Sequence, residues 1–302
     1  MAEKDLSGKR IEDYNDVFAD IYNTLLFGKE YLNPNRLKSG PTESIYKTDT
    51  KNLNEQRRDI LKKYQNTMNL VVSSFGIENQ VTIDKYMPVR VMEYDVGTYR
   101  QQIIDREEKL TPVITIVLNM TDKKWNKAKS IYEMLDLDLE MAKYVQDYKI
   151  HVFDVAFLED EVIESFTSDF KEIARFFKKK RLGENPLTSE NELKHPYAIM
   201  EFLSVFTQDK SYMESVEHLE NISRTGGAVT MCAVADALKT EGRREGRREG
   251  RLEGRLEGRR EGRLEGKVEL LAEMNFTVAE IAERLKISGE EVEVIMQKLN
   301  NL

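Results

Sequence analysis

The stretch Phe75-Gly76-Ile77-Glu78-Asn79-Gln80 decides how this chain is read. Residues 69–81, which contain it, have the length and β-branched content of a strand. Alternation puts Leu70, Val72, Ser74, Glu78 and Gln80 on one face and Val71, Phe75 and Ile77 on the other. Glu78 and Gln80 therefore point the same way. Asp59, in Arg57-Arg58-Asp59-Ile60, stands nineteen residues before Glu78. Residues 58–64 read as an antiparallel partner strand, joined through a turn near Gln65-Asn66-Thr67, so the start of the first strand lies beside the end of the second. This hairpin brings Asp59 close to Glu78.

Two carboxylates converging at one sheet end, with no His or Cys cluster, make an all-oxygen site suited to a hard cation such as Mg²⁺ or Mn²⁺. A cation there would polarise a phosphodiester and acidify a bound water. Ordinary strand-end acids are the competing reading, since paired carboxylates are common. Spacing alone leaves both open.

Asp59, the stretch 75–80, Asp84, the run Met87-Pro88-Val89-Arg90-Val91-Met92-Glu93-Tyr94-Asp95 and Tyr99-Arg100 together resemble the PD-(D/E)XK nuclease superfamily. The nearest branch is the recombination-promoting nuclease, or YhgA-like transposase, family. The resemblance covers roughly residues 10–210 and extends through the tail. It implies a restriction-endonuclease-like α/β core, a mixed central sheet flanked by helices. It also implies metal ligation by Asp59 and Glu78, with the residue two after the glutamate completing the site. The superfamily usually places Lys there; this chain has Gln80. An amide can orient a water or a phosphate oxygen, but it carries no charge and exchanges no proton. Lys62, Lys63 and Lys85 lie near in sequence as sources of the missing cation, although solvated charges are the expectation for each. Family folds often send an acid from the first helix, residues 10–27, to the site; among Asp13, Asp16 and Asp20 the choice falls on Asp16. Residues 87 to about 108 read as a helix that would bring Arg90, Tyr94 and Arg100, with Lys85, toward bound phosphate; structural duty as ion-pair and core residues competes.

Composition agrees with an ordinary folded protein. The chain has 302 residues, 40% of them hydrophobic, and a net charge of −8. Its single cysteine, Cys232, excludes an internal disulfide and fits a reducing compartment. Apolar runs such as Val113-Ile114-Thr115-Ile116-Val117-Leu118 fall far short of the roughly 18 residues that span a membrane, and Met1-Ala2-Glu3-Lys4-Asp5 is no signal peptide. The expectation is a soluble, cytoplasmic protein without membrane contact. Residues 112–120 and 148–158 read as further buried strands, and 159–240 as mostly helical, with a loop near Gly183 and a break at Gly226-Gly227. Trp125 is expected to pack, and His151, His195 and His218 lack ligand spacing.

From Gly242 to Gly266 glycine recurs every fourth residue, followed by Arg and preceded by Glu. Each mid-helix Gly costs about 1 kcal/mol relative to Ala, which favours a flexible linker. Against that, Glu245 to Arg248 and Glu257 to Arg260 are i,i+3 pairs, and the glycines form a small-residue stripe that drifts about 40° per repeat. A helical, self-associating linker is the preferred reading. Interleaved glutamates make it a poor phosphate track despite ten basic against six acidic residues over 243–267. The tail resembles a small helix-turn-helix, with Thr277 and Ser288 as N-caps and Ile281, Leu285, Val292 and Ile295 as its apolar seam. Its three basic and seven acidic residues over 268–302 suit protein contact better than DNA.

The division expected is a nuclease-like domain over 1–210, a helical connector over 211–240, the repeat linker over 241–267 and the tail over 268–302. Two functions compete: a metal-dependent DNA endonuclease, and a non-catalytic interaction or scaffold protein that keeps the fold and assembles as a homo-oligomer through its tail.

Overall fold

The computed structural model describes residues 10–41, 43–47, 53–57 and 59–300. Arg58, where the first hairpin strand was expected to begin, and Met1 to Asp5 lie outside them. In chain order the elements are α1 (Asn15–Tyr22), β1 (Leu37–Ser39), β2 (Glu43–Lys47), β3 (Leu53–Arg57), β4 (Ile60–Gln65), β5 (Val71–Gln80), α2 (Met87–Ile104), β6 (Val113–Asn119) and β7 (His151–Asp154). Then follow α3 (Asp160–Ser165), α4 (Phe170–Leu182), α5 (Pro196–Thr207), α6 (Ser211–Glu214), α7 (Val216–Arg224), α8 (Met231–Glu273), α9 (Val278–Leu285) and α10 (Gly289–Asn300). The chain divides into two compact units, residues 1–238 and 239–302.

The first unit is α/β, built on a five-stranded mixed sheet in the order β1-β4-β5-β6-β7. Strands β1, β4 and β5 run antiparallel, while β5, β6 and β7 are parallel. The hairpin expected from the sequence is β4–β5, with Ile60 opposite Ile77, and its turn uses Asn69 in a left-handed conformation. A separate two-stranded ribbon, β2–β3, was not anticipated.

Period-2 alternation sorts the sheet into two apolar faces. Phe75, Ile77, Ile116 and Leu118 face the main core with Phe18 and Tyr22 of α1 and Phe176 and Phe177 of α4. Val117 faces the other way and packs with Met87 and Val91 of α2, Ile150 and Trp125. Trp125 is thus a packing residue, as expected. The first helix is shorter than residues 10–27: a 3-10 turn over Ile11–Asp13 precedes α1, and a wide turn over Asn23–Phe27 ends at Gly28, whose φ of +62° stops the helix. The strand read over 148–158 holds only His151–Asp154 and then tightens into a 3-10 turn. Tyr212, Leu219 and Val229 are buried in the main core, and residues 211–238 belong to the first compact unit.

In the second unit the tetrad repeat is helical, within the 43-residue α8. Thr277 and Glu280 cap α9 reciprocally, and Ser288 exchanges the same bonds with Glu291 at the start of α10. Val268, Ile281 and Val292 are buried together, with Leu285 and Ile295 packed against them. No helix among the described residues is long and apolar enough to cross a membrane.

Candidate active site

The site builds from the C-terminal end of β5, where successive side chains leave on opposite faces. Glu78 and Gln80 are turned toward α2, while Asn79 is turned toward the segment preceding α1. One residue beyond the Ile60–Ile77 register, Asp59 comes opposite Glu78. Its Oδ2 accepts the backbone N–H of Asn79 at 2.8 Å and its Oδ1 accepts the Arg10 guanidinium at 2.6 Å. The sheet end therefore holds Asp59 in place through main-chain geometry.

On the α2 face the Glu78 carboxylate is almost wholly buried, and its Oε1 accepts Arg90 Nη2 at 2.6 Å and Gln80 Nε2 at 3.3 Å. Arg90 sits one turn into α2 and also donates to Asp84 at 3.0 Å and to the Tyr94 hydroxyl at 3.1 Å. Burial opposes its charge, but those hydrogen bonds and the Glu78 charge outweigh it and hold the guanidinium protonated. Gln80 also donates to the Asn79 carbonyl at 3.0 Å, and its Oε1 makes no hydrogen bond among the described residues. Arg90 is thus committed to carboxylates. Arg100, on the same helix and exposed, lies ten residues further along, about 15 Å at the helical rise. Lys85 is exposed, with its ammonium over the Tyr86 ring at 4.6 Å.

Across the sheet the acid from the first helical segment is Glu12, which the sequence reading passed over. It is fully buried in the 3-10 turn before α1, and its Oε1 accepts Asn79 Nδ2 at 3.0 Å. Burial pushes its carboxyl up to about 7, against hydrogen bonds from its own backbone and Asn79. Glu12 Oε2 and Asn79 Oδ1 are buried without a hydrogen-bond partner among the described residues. Both residues line a cleft of about 360 Å³ with Arg10, Asp59, Val81 and Phe206. Asp16, the acid chosen from sequence, goes elsewhere: it receives His195 Nε2 at 3.1 Å and lines a separate cavity with Asp20. Burial opposes ionisation of Asp16, and the His195 contact overrides it, lowering its pKa. His195 itself stacks on Tyr14 at 3.7 Å, which makes it structural.

Lys62 departs from the expected solvated charge. It is buried, and its ammonium donates to the Asp13 carbonyl at 2.6 Å and to Asn15 Oδ1 at 2.9 Å. It ties β4 to the turn that carries Glu12, so it positions that acid. The signal for Glu12 in the sequence is weak: an acid following a lone isoleucine, in a run too short to show periodicity.

The donor set suits a hard, oxygen-seeking cation. No three His, Cys, Asp or Glu side chains form a ready cage among the described residues. Two carboxylates and an amide oxygen nevertheless bound one cleft, two of the oxygens lacking protein donors, which fits a cation that keeps part of its water shell. Residues 49–183 match the family described as "Putative transposase, YhgA-like". The stretch similar to the YhgA-like family is just under half of the chain and holds Asp59, Glu78, Gln80 and Arg90, but not Glu12. No curated protein and no solved structure matches the chain.

Proposed function

We propose that the chain is a metal-dependent DNA endonuclease of the recombination-promoting type, with a restriction-endonuclease-like core, acting at the cleft bounded by Glu12, Asp59 and Asn79. The observation that carries this reading is the pair of buried, partnerless oxygens on Glu12 and Asn79 beside Asp59, at the end of a sheet whose middle strands match a transposase family. Leaving two acceptors buried and unmet costs about 1–3 kcal/mol each, which a bound cation would offset. Mg²⁺ or Mn²⁺ held there would polarise the scissile phosphodiester and lower the pKa of a water.

The side chains divide the remaining work. Asp59, fixed by the Asn79 N–H and Arg10, presents a carboxylate whose position is set by the backbone. Gln80 spends its amide N–H groups on Glu78 and the Asn79 carbonyl, which leaves Oε1 to accept a hydrogen bond from a water on the α2 side of the same sheet end and orient it. Arg90 supplies the positive charge that Gln80 lacks, although from α2 and through Glu78.

The decisive experiment is cleavage of plasmid DNA in Mg²⁺ or Mn²⁺ by the parent and by Asp59→Ala, which removes a carboxylate of the cleft. Loss of nicking in the variant supports the reading; equal nicking by both, or none by a folded parent, overturns it. The Glu78–Arg90 ion pair favours a second reading, a non-catalytic interaction protein, because that carboxylate is already neutralised from within the chain.

A further inference from the structure

We infer that a basic cleft formed by the loop after β6 and the last turn of α4 holds the phosphate backbone of double-stranded DNA and leads it to the carboxylate cleft. This rests on the endonuclease reading and names the surface that would bind its substrate.

Lys180 and Arg181 of α4 line a second cleft of about 360 Å³ together with Val81, Thr121, Asp122 and Phe206. Val81 and Phe206 also line the cleft that holds Asp59 and Glu12, so the two clefts are neighbours sharing a wall beyond the end of β5. A third cation, Lys124 of the loop after β6, shares an aromatic ring with Arg181 beside this cleft. The Lys124 ammonium lies 5.4 Å and the Arg181 guanidinium 4.3 Å from the centroid of the Phe157 ring. The two charges therefore lie within about 10 Å of each other.

Lysines and arginines in a last helical turn ordinarily complement the helix dipole, and that alone would account for Lys180 and Arg181. It does not account for Lys124. Nor does it explain why Lys124, Lys180 and Arg181 have no carboxylate partner among the described residues, when Lys178 on the same helix pairs with Asp160 at 2.9 Å. Arg181 instead donates to the Ala156 carbonyl at 2.8 Å, which fixes the guanidinium at the cleft wall. Asp122 is the one acid in the lining and is exposed. Three clustered cations without counter-ions repel one another, and a polyanion relieves that repulsion while releasing its own condensed counter-ions. In a chain of net charge −8 such a patch is a local exception, which suits recognition of a backbone more than general adhesion.

The test is anisotropy of a labelled duplex of about 30 base pairs, titrated with full-length protein in chelator over roughly 50 to 200 mM salt. Lys124→Ala with Lys180→Ala should weaken binding on the order of tenfold and lower the slope of log affinity against log salt by about two. Lys124→Arg with Lys180→Arg should retain both. The exposed control pair Lys109→Ala with Lys143→Ala should leave both unchanged. Equal losses in the control pair, an unchanged slope in the first pair, or tighter retention of duplex RNA than DNA would each overturn the inference. Chelator removes cleavage from the assay, so an inactive protein that still shows the lysine-dependent slope counts against the endonuclease alone. A protein that cleaves DNA independently of these lysines counts against this surface alone.

Discussion

Asn79 donates its side-chain amide to Glu12 at 3.0 Å across 67 residues of sequence, while its backbone N–H is held by Asp59 at 2.8 Å. One residue thus joins the two acids of the cleft, through its side chain to one and its main chain to the other.

That contact sets a pH dependence. The folded state raises the Glu12 carboxyl from an ordinary 4.5 to about 7, so it holds its proton more tightly than the unfolded chain does. The stability this contributes is complete below about pH 4.5 and is lost as pH rises through about 7. Glu12→Gln removes the loss. In chelator the variant should melt with the parent near the lower of those values and above it at about pH 8, by at most on the order of 3 kcal/mol. Equal melting shifts at both pH values would rule out ionisation of a buried Glu12.

Asp59→Asn should abolish Mg²⁺-dependent cleavage while keeping the fold. The neutral amide still offers an oxygen to the Asn79 N–H, but it weakens the bond to Arg10, an exposed pair whose loss costs about 1 kcal/mol or less. Cleavage assays beside circular dichroism melts check both halves, and full activity in the variant would remove Asp59 from the site.

Gln80→Lys should keep or raise activity, because it places a cation beside Glu78 where the amide now donates at 3.3 Å. Gln80→Leu should remove most activity. A Leu variant that turns over like the parent would show that Gln80 orients nothing.

A Cβ added at Gly246 or Gly254 meets nothing within 4 Å. Gly246→Ala and Gly254→Ala should each add roughly 0.5–1 kcal/mol of helix stability, read as increased helicity and a higher melting temperature. If the stripe is a contact between copies, the same changes should also lower the mass measured by light scattering.

Removing residues 241–302 should lower the oligomeric state and leave DNA affinity at roughly 150 mM salt nearly unchanged. The repeat leaves Leu252 and Leu256 about 60% and 58% exposed, an apolar pair that association would cover. A truncated protein that keeps its mass but loses DNA would make the tail a DNA-binding module.

Local periodicity made much of the architecture legible before any coordinates. Strand β5 and its hairpin partner follow from two-residue alternation, α2 and α8 from helical spacing, and the starts of α9 and α10 from Thr277 and Ser288 as N-caps. These features depend on residues two to four apart, where the backbone geometry of one element sets which side chains meet. The approach of Asp59 to the end of β5 was legible for a related reason, since a tight turn sets the register of a hairpin.

Tertiary closure alone decided which acid of the first helical segment reaches the site, because Glu12, Asp13, Asp16 and Asp20 differ little as a pattern. Where each points depends on how the 3-10 turn docks against β5 and on the buried Lys62 that pins that turn to β4. The same holds for Arg90, whose commitment to Glu78 and Asp84 requires α2 to lie over the sheet. Burial and charge pairing across tens of residues are properties of the closed chain, and they turned Asp16 toward His195 and Glu12 toward Asn79.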